Sequence, residues 1–307
     1  MTSIAILGAT GHIGKSLLFN LLGSPGYRVS CYARSKEKLD AFLSEIGGGR
    51  EVESSDDVEA LLRFDYDVIV NCVGVGNPGL LREIGPGILT LTERFDNLVL
   101  DYLDKHRETL YINLSSGAVY GTEFADAVDS GSEARIPINA IGPAHYYRTA
   151  KIYSEVKHRA HASYRIVDLR VFSYFGRFVD LTSSYLVTDL VNCCRSRLPF
   201  VTDATDIVRD FIHPSDLLRA IEACARTGVR NAAFDLYSKA PVTKWDLVRL
   251  FESRYGLQVE ITATAKGSVT GTKSNYYSKD RRLGNLGYTP VFSSIEGIGL
   301  ELSKLMP

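Results

Sequence analysis

The sequence predicts an α/β protein: a doubly wound parallel sheet with a smaller C-terminal α/β lobe. Three observations lead there. A glycine-rich turn, GATGHIG at residues 8–14, joins an apolar strand to a helix. Strand-like and helix-like segments then alternate through the first half of the chain, the rhythm of parallel βαβ units. The 307 residues are ample for one large core and a second lobe.

SIAIL, Ser3 to Leu7, is an apolar run of the kind that makes a strand buried on both faces. After the glycines, KSLLFNLLGS spaces Leu17, Leu18, Leu21 and Leu22 as the stripe of a helix. The glycines therefore stand where strand turns into helix. There, Gly8 permits the tight turn, Gly11 lets backbone approach a pyrophosphate, and Gly14 lets helix pack on strand. The spacing is G-x-x-G-x-x-G, and the free N–H groups of the first helical turn face the phosphates. Gly8, Thr10, Gly11, His12, Ile13 and Gly14 are the candidate cofactor contacts of this loop.

YRVSCYA (27–33), DVIVNCVG (67–74), TLYINLSS (109–116) and YRIVDLRVF (164–172) read as further strands. LTERFDNLVLDYLDKH (91–106) reads as a helix with Phe95, Leu98, Val99, Tyr102 and Leu103 on one face. GGGR at 47–50 reads as a surface loop. After Gly176 the alternation weakens into mixed helices and short strands. The expected division is a dinucleotide-binding domain over 1–175 and a second, smaller lobe over 176–307.

The end of the second strand selects the cofactor. An acid about 20 residues after the glycines holds the ribose 2′-hydroxyl of NAD, whereas an arginine accommodates the 2′-phosphate of NADP. Arg34 stands twenty residues after Gly14, followed by Ser35 and Lys36, and no Asp or Glu ends that strand. NADP is the expected cofactor, with NAD as the alternative.

Two constellations carry the chemistry. INLSSGAVYG (112–121) delivers Ser115 and Ser116 at the C-terminal end of a strand, the edge where such sheets bind ligands. In YYRTAKIYSEVKHRA (146–160), Tyr147 and Lys151 stand four apart on a helix and share a face. An ammonium beside a phenol favours the ionised form, giving a proton donor and acceptor usable near neutral pH. Tyr153 and Lys157 have the same spacing but lie too far along the helix.

Together these motifs resemble the extended branch of the short-chain dehydrogenase/reductase superfamily: nucleotide-sugar epimerases, dehydratases and ketoreductases. The likeness continues through LRVFSYFG (169–176), RDFIHPSDLLRAI (209–221), FDLYSKAPVTKWDLVRLF (234–251) and LGYTP (286–290), nearly the whole chain. It implies a Rossmann dinucleotide-binding domain to which the chain returns near 205–237, with 176–307 as a substrate-binding α/β lobe. It also implies that Ser116 hydrogen-bonds the reacting sugar oxygen, Tyr147 exchanges the proton, and Lys151 binds the nicotinamide ribose. It places Cys72, Val73 and Gly74 along the cofactor, Phe172 and Ser173 near nicotinamide and substrate, and Arg209 on the sugar-nucleotide diphosphate. Ser173 stands where the family has asparagine. His213 is expected to be a packed residue and Asp216 a helix cap. Tyr185, Phe200 and Tyr276 are candidate substrate contacts in the lobe. Dehydratases follow the catalytic Ser/Thr with an Asp-Glu pair; here Gly117 and Ala118 follow Ser116. Fucose synthases place a cysteine beside the serine, and none stands here. Ketone reduction, or epimerisation through a transient ketone, remains.

Composition excludes other classes. Lys and Arg number 35 against 36 Asp and Glu, which removes the electrostatic case for nucleic acid or an anionic membrane surface. No apolar run reaches the roughly 18 residues of a membrane span. The N-terminus shows no basic and apolar leader, and five scattered cysteines (31, 72, 193, 194, 224) without C-x-x-C spacing fit reduced thiols rather than a metal site. A cytoplasmic enzyme without metal is expected: an NADPH-dependent reductase of a keto group on a nucleotide-activated deoxysugar. A nucleotide-sugar epimerase with retained NAD(P) and a non-catalytic NADP sensor are the rival readings. The resemblance also implies a possible homodimer through the helices that carry Y-x-x-x-K.

Overall fold

A computed structural model describes residues 1–47, 52–263 and 273–306. Of the glycine-rich patch at 47–50, only Gly47 lies within the described residues. The first half builds six strands: β1 (Thr2–Leu7), β2 (Tyr27–Tyr32), β3 (Val52–Ser55), β4 (Val68–Asn71), β5 (Leu110–Ser116) and β6 (Ile166–Val171). Between them run helices α1 (His12–Leu22), α2 (Lys36–Glu45), α3 (Pro78–Ile84), α4 (Gly87–Lys105) and α5 (Pro143–Ala160). The strands pair in parallel as β6-β5-β4-β1-β2-β3, and Asn231–Asp235 adds a seventh parallel strand beside β6. This is the expected doubly wound sheet. Its order reverses between β1 and β4, and the crevice above that point is where open α/β sheets take their ligands.

Two apolar layers sandwich the sheet. On one face α1 packs with Leu17, Leu18 and Leu21 against Ile4, Ile6, Val70 and Ile112. On the other, Leu98, Val99, Tyr102 and Leu103 of α4 pack against Ala5, Leu7, Ile69 and Tyr111. Alternate strand residues thus feed opposite cores, which is why these strands read as continuous apolar runs. Strand β3 was not legible that way: VESS is a half-exposed edge with one apolar residue.

Beyond β6 follow α6 (Leu186–Ser196), α7 (Pro214–Arg226), α8 (Lys244–Tyr255) and α9 (Ser294–Leu305). Helices α6, α8 and α9 share a third core with Phe175, Leu190, Phe251 and Leu302. Phe200 belongs to this core, on a short strand paired with Val259–Ile261, so its ring packs within the lobe instead of meeting substrate. Helix α7 packs instead on α1 and the main sheet. The cap of α7 is His213, whose ring accepts the Ser215 N–H over 3.2 Å, and not Asp216. Asp216 lies inside the first turn and accepts the N–H groups of Val291 and Phe292, holding the C-terminal segment to the helix.

Candidate functional site

The glycine turn lies over the crevice. Gly8 adopts φ +77°, the left-handed region, and a Cβ there would stand 3.1 Å from the Cys72 carbonyl carbon and the Val73 nitrogen. A Cβ on Gly14 would lie 2.3 Å from the Gly8 oxygen, so helix and turn touch through that position. Gly11 differs. It is the N-cap of α1, and a Cβ there would meet only the Gly8 oxygen, at 3.3 Å. No side chain caps the helix. The result is an uncapped, electropositive helix start, the geometry that suits a dinucleotide's pyrophosphate. His12 contributes only backbone here. Its ring turns away to Gly176, with Nε2 3.2 Å from the carbonyl, and burial pulls its pKa down to about 4.

Across the crevice, the ends of β4 and β5 and one face of α5 meet. Asn71 at the end of β4 accepts the Val73 N–H through its side chain over 3.0 Å, shaping the turn through Cys72 to Gly74. Lys151 is buried and donates to the Leu114 carbonyl over 2.8 Å, pinning α5 to β5. Its ammonium lies 6.0 Å from the Tyr147 ring centroid and 3.8 Å from where a Cβ on Gly74 would be. Lys151 therefore faces both the tyrosine and the cofactor crevice.

The two serines part company. Ser115 donates to Glu155 over 2.6 Å, and Glu155 is ion-paired to Arg170 at 2.5 Å, so that hydroxyl is committed to the scaffold. Ser116 instead points to the lobe, with its Oγ 3.2 Å from the Tyr276 hydroxyl. Phe172, Phe124 and Tyr276 make a small aromatic cluster beneath it, and Phe172 covers Gly117. Ser173 is half-buried in a two-residue parallel pairing, Ser173–Tyr174 with Phe211–Ile212. Tyr185 lies near the site as well: burial raises its phenol, and the neighbouring Tyr147 adds to the rise. The second Y-x-x-x-K pair is spent elsewhere. Tyr153 is exposed and reaches Glu93, while Lys157 binds Asp96 over 2.6 Å.

Arg209 sits on a short strand antiparallel to Val242–Thr243. It donates to the Val208 and Lys273 carbonyls, at 2.8 and 2.7 Å, and ion-pairs with no carboxylate among the described residues. The nearby acids have other partners: Asp206 accepts the Ile207 N–H, and Asp210 accepts from Ser238 and Ser294. Burial pulls the Arg209 guanidinium down to about 10. Two further cations gather here that the motifs did not reveal. Lys273 lies 4.3 Å from the Tyr276 ring centroid, and burial, then Arg209 and Arg148, bring it down to about 8. Arg148 is buried with one bond to the Arg135 carbonyl. By contrast, Lys157, Arg170, Arg177 and Lys244 each meet a carboxylate. Unpaired buried cations are costly unless an anion completes them. For Arg148, adjacency to Tyr147 was the available signal. Lys273 had none, since only the fold brings it near.

Arg34 follows β2 after Ala33, is exposed, and forms no hydrogen bond or ion pair among the described residues. Its neighbours are engaged: Ser35 caps α2 and Lys36 pairs with Asp40.

A glycine turn at the switch point, with serine, tyrosine and lysine gathered at the same C-terminal edge, defines an NAD(P)-dependent enzyme of the extended short-chain dehydrogenase/reductase type. The chain belongs to the NAD dependent epimerase/dehydratase family, whose profile matches residues 4–237. Solved structures of the same fold include the UDP-glucuronic acid 4-epimerase of Bacillus cereus with UDP-glucuronic acid and NAD, at TM-score 0.80, 19% identity and 99% coverage of both chains. The UDP-glucose-4-epimerase of Stenotrophomonas maltophila with NAD and formylated UDP-arabinopyranose superposes at TM-score 0.82, with 17% identity over 99% of this chain and 98% of that one. Among curated relatives, oxidoreductase claK of Passalora fulva is 37% identical over 73 residues, 24% of this chain and 26% of that protein. The match thus spans about a quarter of that relative's length. No helix among the described residues is long and apolar enough to cross a membrane.

Proposed function

We propose that the protein reduces a keto group on a nucleotide-activated sugar with NADPH. One observation carries the choice of cofactor and direction: Arg34 stands past the end of β2 with no ion pair among the described residues, and no Asp or Glu ends that strand in the sequence to hold a ribose 2′-hydroxyl. A guanidinium there suits a 2′-phosphate.

The residues divide the work as follows. The N–H groups at the start of α1 hold the pyrophosphate, and Lys151 holds the nicotinamide ribose. When bound, NADPH supplies the hydride that reduces the carbonyl carbon. Ser116 donates a hydrogen bond to the carbonyl oxygen, and Tyr147 delivers the proton that turns this oxygen into a hydroxyl. The Lys151 ammonium faces the phenolate left behind, which returns to the phenol by taking a proton from water. Arg209, with its unpaired guanidinium, holds the diphosphate by parallel N–H bonds. Elimination of water is disfavoured because no carboxylate follows Ser116.

Stoichiometric NADPH consumption on a UDP-linked keto sugar, with NADH much weaker, tests this reading. The similar folds of 4-epimerases favour one alternative, a nucleotide-sugar epimerase with retained NAD(P). Conversion of a UDP-sugar to its epimer with no net change in nicotinamide absorbance would select it.

A further inference from the structure

We propose that Tyr276 is a positioning residue that makes Ser116 an obligate hydrogen-bond donor toward the substrate's reacting oxygen. The inference deepens the reductase reading and rests on Ser116 acting at that oxygen. Tyr276 enters from the C-terminal lobe on the short strand Asn275–Tyr276 and is 8% exposed. Its hydroxyl lies 3.2 Å from Ser116 Oγ and has no other acceptor among the described residues. Either hydroxyl can donate across this contact; in this proposal the phenol donates, having no other acceptor, and the serine proton is left for the substrate. The Ala118 N–H donates to the same oxygen, also over 3.2 Å.

A serine oxygen has two lone pairs and one proton. With both pairs engaged by Tyr276 and Ala118, the proton is what Ser116 has left to offer to a third partner. A hydroxyl held this way is aligned before substrate arrives and needs no reorientation as charge develops on the carbonyl oxygen. The ring that delivers the bond is itself held. Phe124 packs edge-on at 4.7 Å, Phe172 lies at 5.2 Å, and the Lys273 ammonium stands 4.3 Å from the ring centroid. Burial keeps the phenol protonated, so the donor persists through neutral and mildly alkaline pH.

Four proteins test this: the native chain, Ser116→Ala, Tyr276→Phe and the double variant. In thermal melts, Tyr276→Phe lowers the melting temperature of the native chain. Ser116→Ala orphans the phenol, and adding Tyr276→Phe then raises the melting temperature, because it deletes the orphaned donor. In NADPH-dependent reduction of a UDP-linked keto sugar, Tyr276→Phe lowers kcat about tenfold or more, with KM and NADPH affinity within about twofold, and has no further effect once Ser116 is alanine. A loss of equal size in both backgrounds, in melting temperature or in kcat, overturns the proposal. If the native chain turns over no keto sugar, the reductase reading fails, and a melting cycle without coupling overturns the Ser116–Tyr276 bond itself.

Discussion

Gly117 lies so close beneath Phe172 that a Cβ on it would stand 2.4 Å from the ring's Cδ1 and 2.5 Å from its Cε1. The residue after Ser116 is therefore dictated by packing. Gly117→Ala is expected to cost about 1–3 kcal/mol through overpacking, read as a drop in melting temperature. Phe172→Leu should relieve part of that cost in the double variant. A Gly117→Ala protein that melts like the native one would show that the ring moves aside freely, leaving room for a carboxylate there.

Removal of the Arg34 guanidinium should erase the preference for NADPH. A charge-assisted bond of this kind contributes about 1.5–3 kcal/mol, roughly ten- to a hundredfold in affinity. Titration of Arg34→Ala with both cofactors is expected to give near parity. A native protein that binds NADH as tightly as NADPH would defeat the assignment and favour the epimerase.

Tyr147→Phe keeps the ring but deletes the proton donor, so turnover should fall by about 10² or more while NADPH binding survives. Tyr153→Phe removes only an exposed 3.3 Å bond to Glu93 and should change little. Equal losses from the two variants would withdraw the role from Tyr147.

Arg209→Lys retains charge but not the planar fork. It should raise KM for a sugar nucleotide about tenfold or more and leave NADPH affinity unchanged. A small loss of melting temperature is also expected, because Arg209 ties the Val208 and Lys273 carbonyls together. Unchanged KM, or equal native activity on the free keto sugar, would remove the diphosphate from the substrate.

A pH effect on stability follows from His158, fully buried between α4 and β6. Its Nε2 lies 2.6 Å from Asp96 and its Nδ1 2.8 Å from Asp168. Both partners are carboxylates, so both ring nitrogens donate and the ring is the imidazolium. Burial works against that charge, but Asp168 and Asp96 prevail and bring its pKa up to about 9. The folded value lies above the unfolded one of about 6.5, so the stabilisation is full below about 6.5 and disappears as pH rises through about 9. The native chain should lose on the order of 2–3 kcal/mol across that window relative to His158→Gln, whose melting should lack this slope. Parallel pH profiles of the two proteins would contradict it.

Local pattern determined much of this protein. Apolar runs marked β1, β4, β5 and β6 because each is buried on both faces, and the glycine turn was legible because Gly8 and Gly14 leave no room for a side chain while Gly11 opens the helix. Tyr147 and Lys151 were readable as neighbours because helical spacing alone puts them on one face. Polar β3 escaped, since an edge strand need not carry an apolar run. Tertiary structure alone decided the remainder. It sent Ser115 to Glu155 and Ser116 to Tyr276, two hydroxyls adjacent in sequence but on opposite faces of a pleated strand. It placed Phe200 in the lobe core and gathered Arg209 and Lys273 around the Tyr276 ring, with Arg148 near Lys273. Periodicity governs residues a few positions apart. Tyr276 reaches Ser116 across 160 residues of chain, and only the docking of lobe on sheet can make that bond.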